Sequence, residues 1–69
     1  MNNDKKIEKL LIILCQKSNI AASLEKSFEK DGNEYMAKYY AGQKGEVNTI
    51  IRLLTDDDLF DEYVNIYKL

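Results

Sequence analysis

Apolar residues along this chain recur with the period of a helix, and no stretch alternates as a strand does. In the first segment Ile7, Leu14, Ala21 and Phe28 return every seven residues, with Leu10 and Leu24 three positions beyond Ile7 and Ala21. That spacing places them on one helix face, and only Lys17 interrupts it. Asn3 or Asp4 is placed to accept from the free amides of a first turn, and Gly32 to take the left-handed conformation that ends a helix. A helix is expected over about residues 4–30, with a turn near Asp31-Gly32. Ser18-Asn19 is its weak point and admits a kink or break, because short polar side chains offer the backbone competing hydrogen bonds.

In the second segment Met36, Tyr40, Gln43, Val47, Ile50 and Leu54 follow spacings of 4, 3, 4, 3 and 4, the signature of a heptad seam. Asn33 stands where a cap belongs, and Glu34 and Lys38 form a favourably oriented i,i+4 pair, so a second helix is expected over 34–54. Gly42 and Gly45 each cost about 1 kcal/mol against Ala inside a helix. Gly45 shares an i,i+4 line with Ala37 and Ala41, and small residues on a line allow another helix to approach closely. Thr55 can cap a third helix over 56–67, with Asp56, Asp57 and Asp58 in its first turn and Asp58 completing a variant capping box. Leu59, Phe60, Tyr63, Val64 and Tyr67 give that helix one apolar face.

Together these elements make a single all-α domain over residues 1–69, a hairpin of two long helices plus a short third. At 1.5 Å per residue the long helices measure about 40 and 32 Å, and a hairpin that thin has little interior. Leu11, Ile12, Tyr39, Ile51 and Leu53 add apolar surface outside the two seams, more than one neighbouring helix can cover. Assembly as a dimeric helical bundle is the expected solution, with Met36, Tyr40, Gln43, Val47, Ile50 and Leu54 as the self-association seam.

Composition narrows the chemistry. The 69 residues include one Cys and no His, Trp or Pro, which removes the common general base, disulfide pairing and the usual zinc-ligand sets. No catalytic, metal or cofactor residue is assigned, and an enzyme is not expected. Cys15 follows five aliphatic residues, Leu10 to Leu14, and reads as a buried or half-buried structural thiol. The acids at 56–58, 61 and 62 lack the glycine and glutamate of a calcium-binding loop, and a helix start explains them better.

A net charge of −2 argues against broad binding to a phosphate backbone. It conceals an asymmetry: residues 1–30 carry +2, residues 31–54 are neutral, and residues 55–69 carry −4. Lys5, Lys6, Lys9, Lys17, Lys26 and Lys30 are interspersed with Glu8, Glu25 and Glu29, the pattern of a solvated face. A helix-turn-helix over residues 20–40 fails because its recognition helix is not basic. Five tyrosines suggest base stacking or an interface hot spot, and stacking on nucleic acid requires a cationic groove that these residues lack. Tyr40 is assigned to the core, while Tyr39, Tyr63 and Tyr67 are shared between packing and a partner surface.

The apolar run Leu10 to Cys15 is shorter than a secretory signal's core, and no stretch reaches the length of a transmembrane helix. The expected location is the cytoplasm, without membrane contact. The stretch from Tyr39-Tyr40-Ala41-Gly42-Gln43-Lys44-Gly45-Glu46-Val47 into Ile50-Ile51-Arg52-Leu53-Leu54 resembles short helical proteins of Gram-positive bacteria and their phages. The likeness covers 16 residues and carries no functional residue across.

The expected function is that of a non-enzymatic helical interaction protein that modulates or inhibits a larger protein, such as host defence or transcription machinery. Asp57, Asp58, Phe60, Asp61, Glu62, Tyr63 and Tyr67 are its expected partner-binding residues, directed at a basic surface on a nucleic-acid-processing protein. A structural or assembly component is the alternative, and a DNA-binding regulator ranks lower on charge.

Overall fold

The computed structural model describes residues 3–69, apart from the Asn3 side chain, so the cap expected from Asn3 lies outside the described residues. Three helices follow one another: α1 (Asn3–Lys30), α2 (Glu34–Thr55) and α3 (Asp57–Tyr67). No strand occurs among the described residues.

α1 runs unbroken through Ser18-Asn19, against the expected weak point. The Ser18 hydroxyl donates instead to Asn48 Oδ1 of α2 at 2.8 Å, so it engages a side chain rather than competing for backbone groups. Gly32 closes α1 at φ 75°, the left-handed conformation expected there. The Asn33 amide donates to Phe28 O at 2.9 Å and the Gly32 amide to Glu29 O at 3.1 Å, which together form a Schellman cap. Asn33 then turns to α2, its Oδ1 accepting from the Met36 amide at 3.2 Å. One residue thereby serves both helix ends, which holds the hairpin turn to three residues.

The junction of α2 and α3 falls one residue later than expected. Thr55 remains helical, its Oγ1 donating to Ile51 O, so neither the Thr55 cap nor the Thr55/Asp58 capping box forms. Asp56 takes both roles from an extended conformation (φ −121°, ψ 101°). Its amide donates to Arg52 O at 2.8 Å, closing α2, while its Oδ1 accepts from the Leu59 amide at 3.1 Å, opening α3. Asp57 and Asp58 occupy the first turn, where the helix dipole favours negative charge.

α1 and α2 pack antiparallel. Among the described residues Leu14, Ala21, Ala37 and Val47 are buried, and Phe28 stacks on Tyr40 with ring centroids 5.8 Å apart. Glu25 Oε1 meets Lys44 Nζ at 2.7 Å in the same seam. The α1 seam advances by four residues from each heptad position, through Leu11, Ser18 and Glu25, where an advance of three had been expected. Leu10 is 41% exposed, as is Ile7 on the seam itself, while Leu24 is half-buried. Two polar pairs occupy seam positions that apolar spacing cannot mark. The close approach expected at Gly45 does not occur, since a Cβ added at Gly42 or at Gly45 meets nothing within 4 Å.

α3 packs on α2 and not on α1. The Cα envelope measures 42 × 30 × 14 Å, a slab rather than a sphere. Its radius of gyration is 14.9 Å, against about 11 Å for a compact chain of this length. The accessible surface of 5777 Å² exceeds by roughly 1,300 Å² that of a compact 8.0 kDa monomer.

Candidate protein-docking groove

A concavity lies between the C-terminal half of α2 and α3. Ile50, Leu53 and Leu54 form one wall, and Phe60, Tyr63, Val64 and Tyr67 the other, with Leu69 at one end, around a volume of about 410 Å³. α3 builds its wall because residues 60, 63, 64 and 67 share one face at helical spacing. Lys68 ends α3 in a left-handed conformation (φ 57°), and the Leu69 amide donates back to Val64 O at 3.0 Å. This second Schellman cap folds Leu69 onto the groove. Tyr63 and Tyr67 lie 6.1 Å apart along the wall. Phe60 remains 53% exposed and Tyr67 67% exposed, so the groove is apolar and open to solvent.

No charged residue lines the groove. By helical spacing Asp57 and Asp61, each three residues before Phe60 and Val64, fall on one flank of the apolar face of α3, whereas Asp58 and Glu62 fall on its far side. Of the seven residues expected to bind a partner, the fold thus brings Phe60, Tyr63 and Tyr67 together, with Asp57 and Asp61 on their flank, and separates Asp58 and Glu62 from them. Leu53, Val64 and Leu69 belong to the groove and were not among the expected residues. The apolar face of α3 pointed to Val64, while Leu69 arrives through a cap on Lys68 that no glycine announces.

The expected self-association seam divides in two. Val47 is buried in the hairpin and Tyr40 is stacked on Phe28, with Met36 half-buried nearby. Ile50 and Leu54 face the groove, and Gln43 is exposed. α2 has α1 on one side and α3 on another, and the six-residue seam runs between those two faces. It is not a single surface.

Cys15 is exposed, which corrects the expectation of a buried or half-buried thiol: it lies off the Leu11–Leu14–Ser18 line that faces α2. Among the described residues, no three His, Cys, Asp or Glu side chains are grouped to hold a metal ion. None of the helices, over the described residues, is long and apolar enough to cross a membrane. No protein-family model matches the chain, and comparison with curated proteins and with solved structures finds none that matches.

Proposed function

We propose that this chain is a non-enzymatic helical interaction protein that binds a larger protein through the α2/α3 groove and modulates it by covering its surface. The observation that carries this reading is the groove itself, an open apolar trough with an aromatic wall; helical spacing puts Asp57 and Asp61 on the flank of that wall. Such a site fits an amphipathic helix with an apolar stripe flanked by Lys or Arg, the helix-in-groove mode of recognition. The acids would speed encounter with a basic surface, and burial of Phe60, Tyr63 and Tyr67 would set the residence time. An acidic, compact chain suits the basic clefts of nucleic-acid-processing proteins, which makes host defence or transcription machinery the proposed target. Excess surface also supports a homodimer as the form of the free protein.

The test is affinity capture from a Gram-positive lysate with the wild type and with Phe60→Asp in parallel, followed by reconstitution from purified components. A stoichiometric complex that Phe60→Asp abolishes is the expected result. If no captured protein reconstitutes, the reading falls. Assembly of the pure wild type into large closed particles would instead establish the structural role.

A further inference from the structure

α1 carries a second seam that the hairpin leaves exposed from Lys6 to Ile20. Lys6, Leu10, Ile13, Lys17, Ile20 and Leu24 follow spacings of 4, 3, 4, 3 and 4, about a quarter-turn round the helix from the residues facing α2. Leu10, Ile13 and Ile20 are 41%, 51% and 60% exposed, and Lys6 and Lys9 flank Leu10 and Ile13 around a shallow hollow. The row is therefore apolar and basic, where the α2/α3 groove is apolar with acids on its flank. Because α1 and α2 are right-handed helices running antiparallel, this row and the groove wall formed by Ile50 and Leu54 lie on the same side of the hairpin. Within one chain they do not meet, since α3 makes no packing contact with α1.

We infer that the groove is occupied, in the free protein, by the N-terminal half of α1 from a second copy, and that the exchange is reciprocal. This rests on the groove being a docking site, as proposed above. A two-fold axis parallel to α2 keeps both ends of the hairpin in place, and the N-terminal half of α1 shares its end with the C-terminal half of α2. Leu10 and Ile13 of each copy then meet the other copy's groove, with Lys6 and Lys9 near Asp57 and Asp61. The same patch serves both copies, as an isologous dimer requires. The roughly 1,300 Å² of excess surface per chain exceeds the about 800 Å² per partner of a standard stable interface. A larger protein offering a basic amphipathic helix would compete with α1 for the groove, so the dimer is a self-masked form.

Sedimentation equilibrium of the full chain tests this. The wild type is expected at twice 8.0 kDa at micromolar concentration. Ile13→Asp, at a position exposed in the hairpin, should weaken the dimer by about 100-fold while leaving helical circular dichroism unchanged. Lys6→Glu with Lys9→Glu, and separately Asp57→Lys with Asp61→Lys, should each weaken it, and the four changes together should restore it. A monomeric wild type, an Ile13→Asp dimer of undiminished strength, or a fourfold variant no stronger than its parents overturns the inference. Ile13→Asp also separates the two proposals, because its groove stays open: failure of this variant to bind any partner sinks the proposed function and leaves the dimer standing.

Discussion

Gly42 and Gly45 sit in the middle of α2 on its outer face, where an added methyl group meets nothing. Neither position needs a glycine for packing. Gly42→Ala and Gly45→Ala should each stabilise the protein by about 0.5–1 kcal/mol, through helix propensity and a less flexible unfolded chain. Urea denaturation at fixed protein concentration would read this as a raised midpoint at constant slope. A loss of stability at either site would show that the outer face packs against something. Asp56 is the opposite case, because one residue closes α2 and opens α3. Asp56→Ala should cost about 0.5–2 kcal/mol, whereas Thr55→Ala should be nearly neutral, and comparing the two locates the cap. In the sequence, Thr55 and three successive aspartates are all competent N-caps, and composition cannot choose among them. The choice is made by where α2 stops, which depends on how far Thr55 can remain helical by returning its hydroxyl to Ile51.

The helices themselves were legible because 3.6-residue periodicity is a local property, and the junctions at Gly32-Asn33 and at Asp56 carry residues whose backbone or side chain suits a helix end. Their faces were less so. The heptad of α2 gives the mean direction of its apolar residues, and a helix with one neighbour on each side has two faces flanking that mean. Val47 turns to α1 and Ile50 to the groove, although both belong to one seam by spacing. In α1 the facing row includes Ser18 and Glu25, which declare themselves only once Asn48 and Lys44 lie opposite. α3 shows what this means for stability. It contains no buried residue and rests on α2 alone, so it should be the first element to open. Hydrogen exchange is expected to show less protection in α3 than around Leu14, Ala21 and Val47. Asp57→Asn with Asp61→Asn should leave that protection unchanged or slightly increased, since it removes an i,i+4 repulsion. Association should nevertheless be slower and less dependent on salt, because the two carboxylates flank the aromatic wall. Stopped-flow association at low and at physiological salt would measure it, and unchanged rates would leave the aromatic wall as the sole recognition element.

At the scale of the molecule the decisive quantity is surface. Among the described residues four are buried, two of them alanines, which makes a small interior. Conformational entropy opposing folding grows with every ordered residue, whereas the offsetting burial here is confined to one helix pair and the edge of a second. Enlarging that burial without adding residues requires another copy or another protein. In the dimer inferred above, folding and association would be linked, and stability would depend on concentration. For a dimer of two 69-residue chains, a tenfold rise in concentration adds about 1.4 kcal/mol, which at the usual unfolding entropy per residue raises Tm by about 4–5 °C. Ile13→Asp should lower Tm and flatten this dependence, because a chain that unfolds as a monomer has no concentration term. Thermal unfolding followed by circular dichroism from 10 to 1,000 μM, about two decades, should therefore separate wild type from variant by slope as well as by midpoint. A wild-type Tm that stays constant across that range would mean the slab is stable alone, and its exposed apolar face would then be reserved for a partner of another kind.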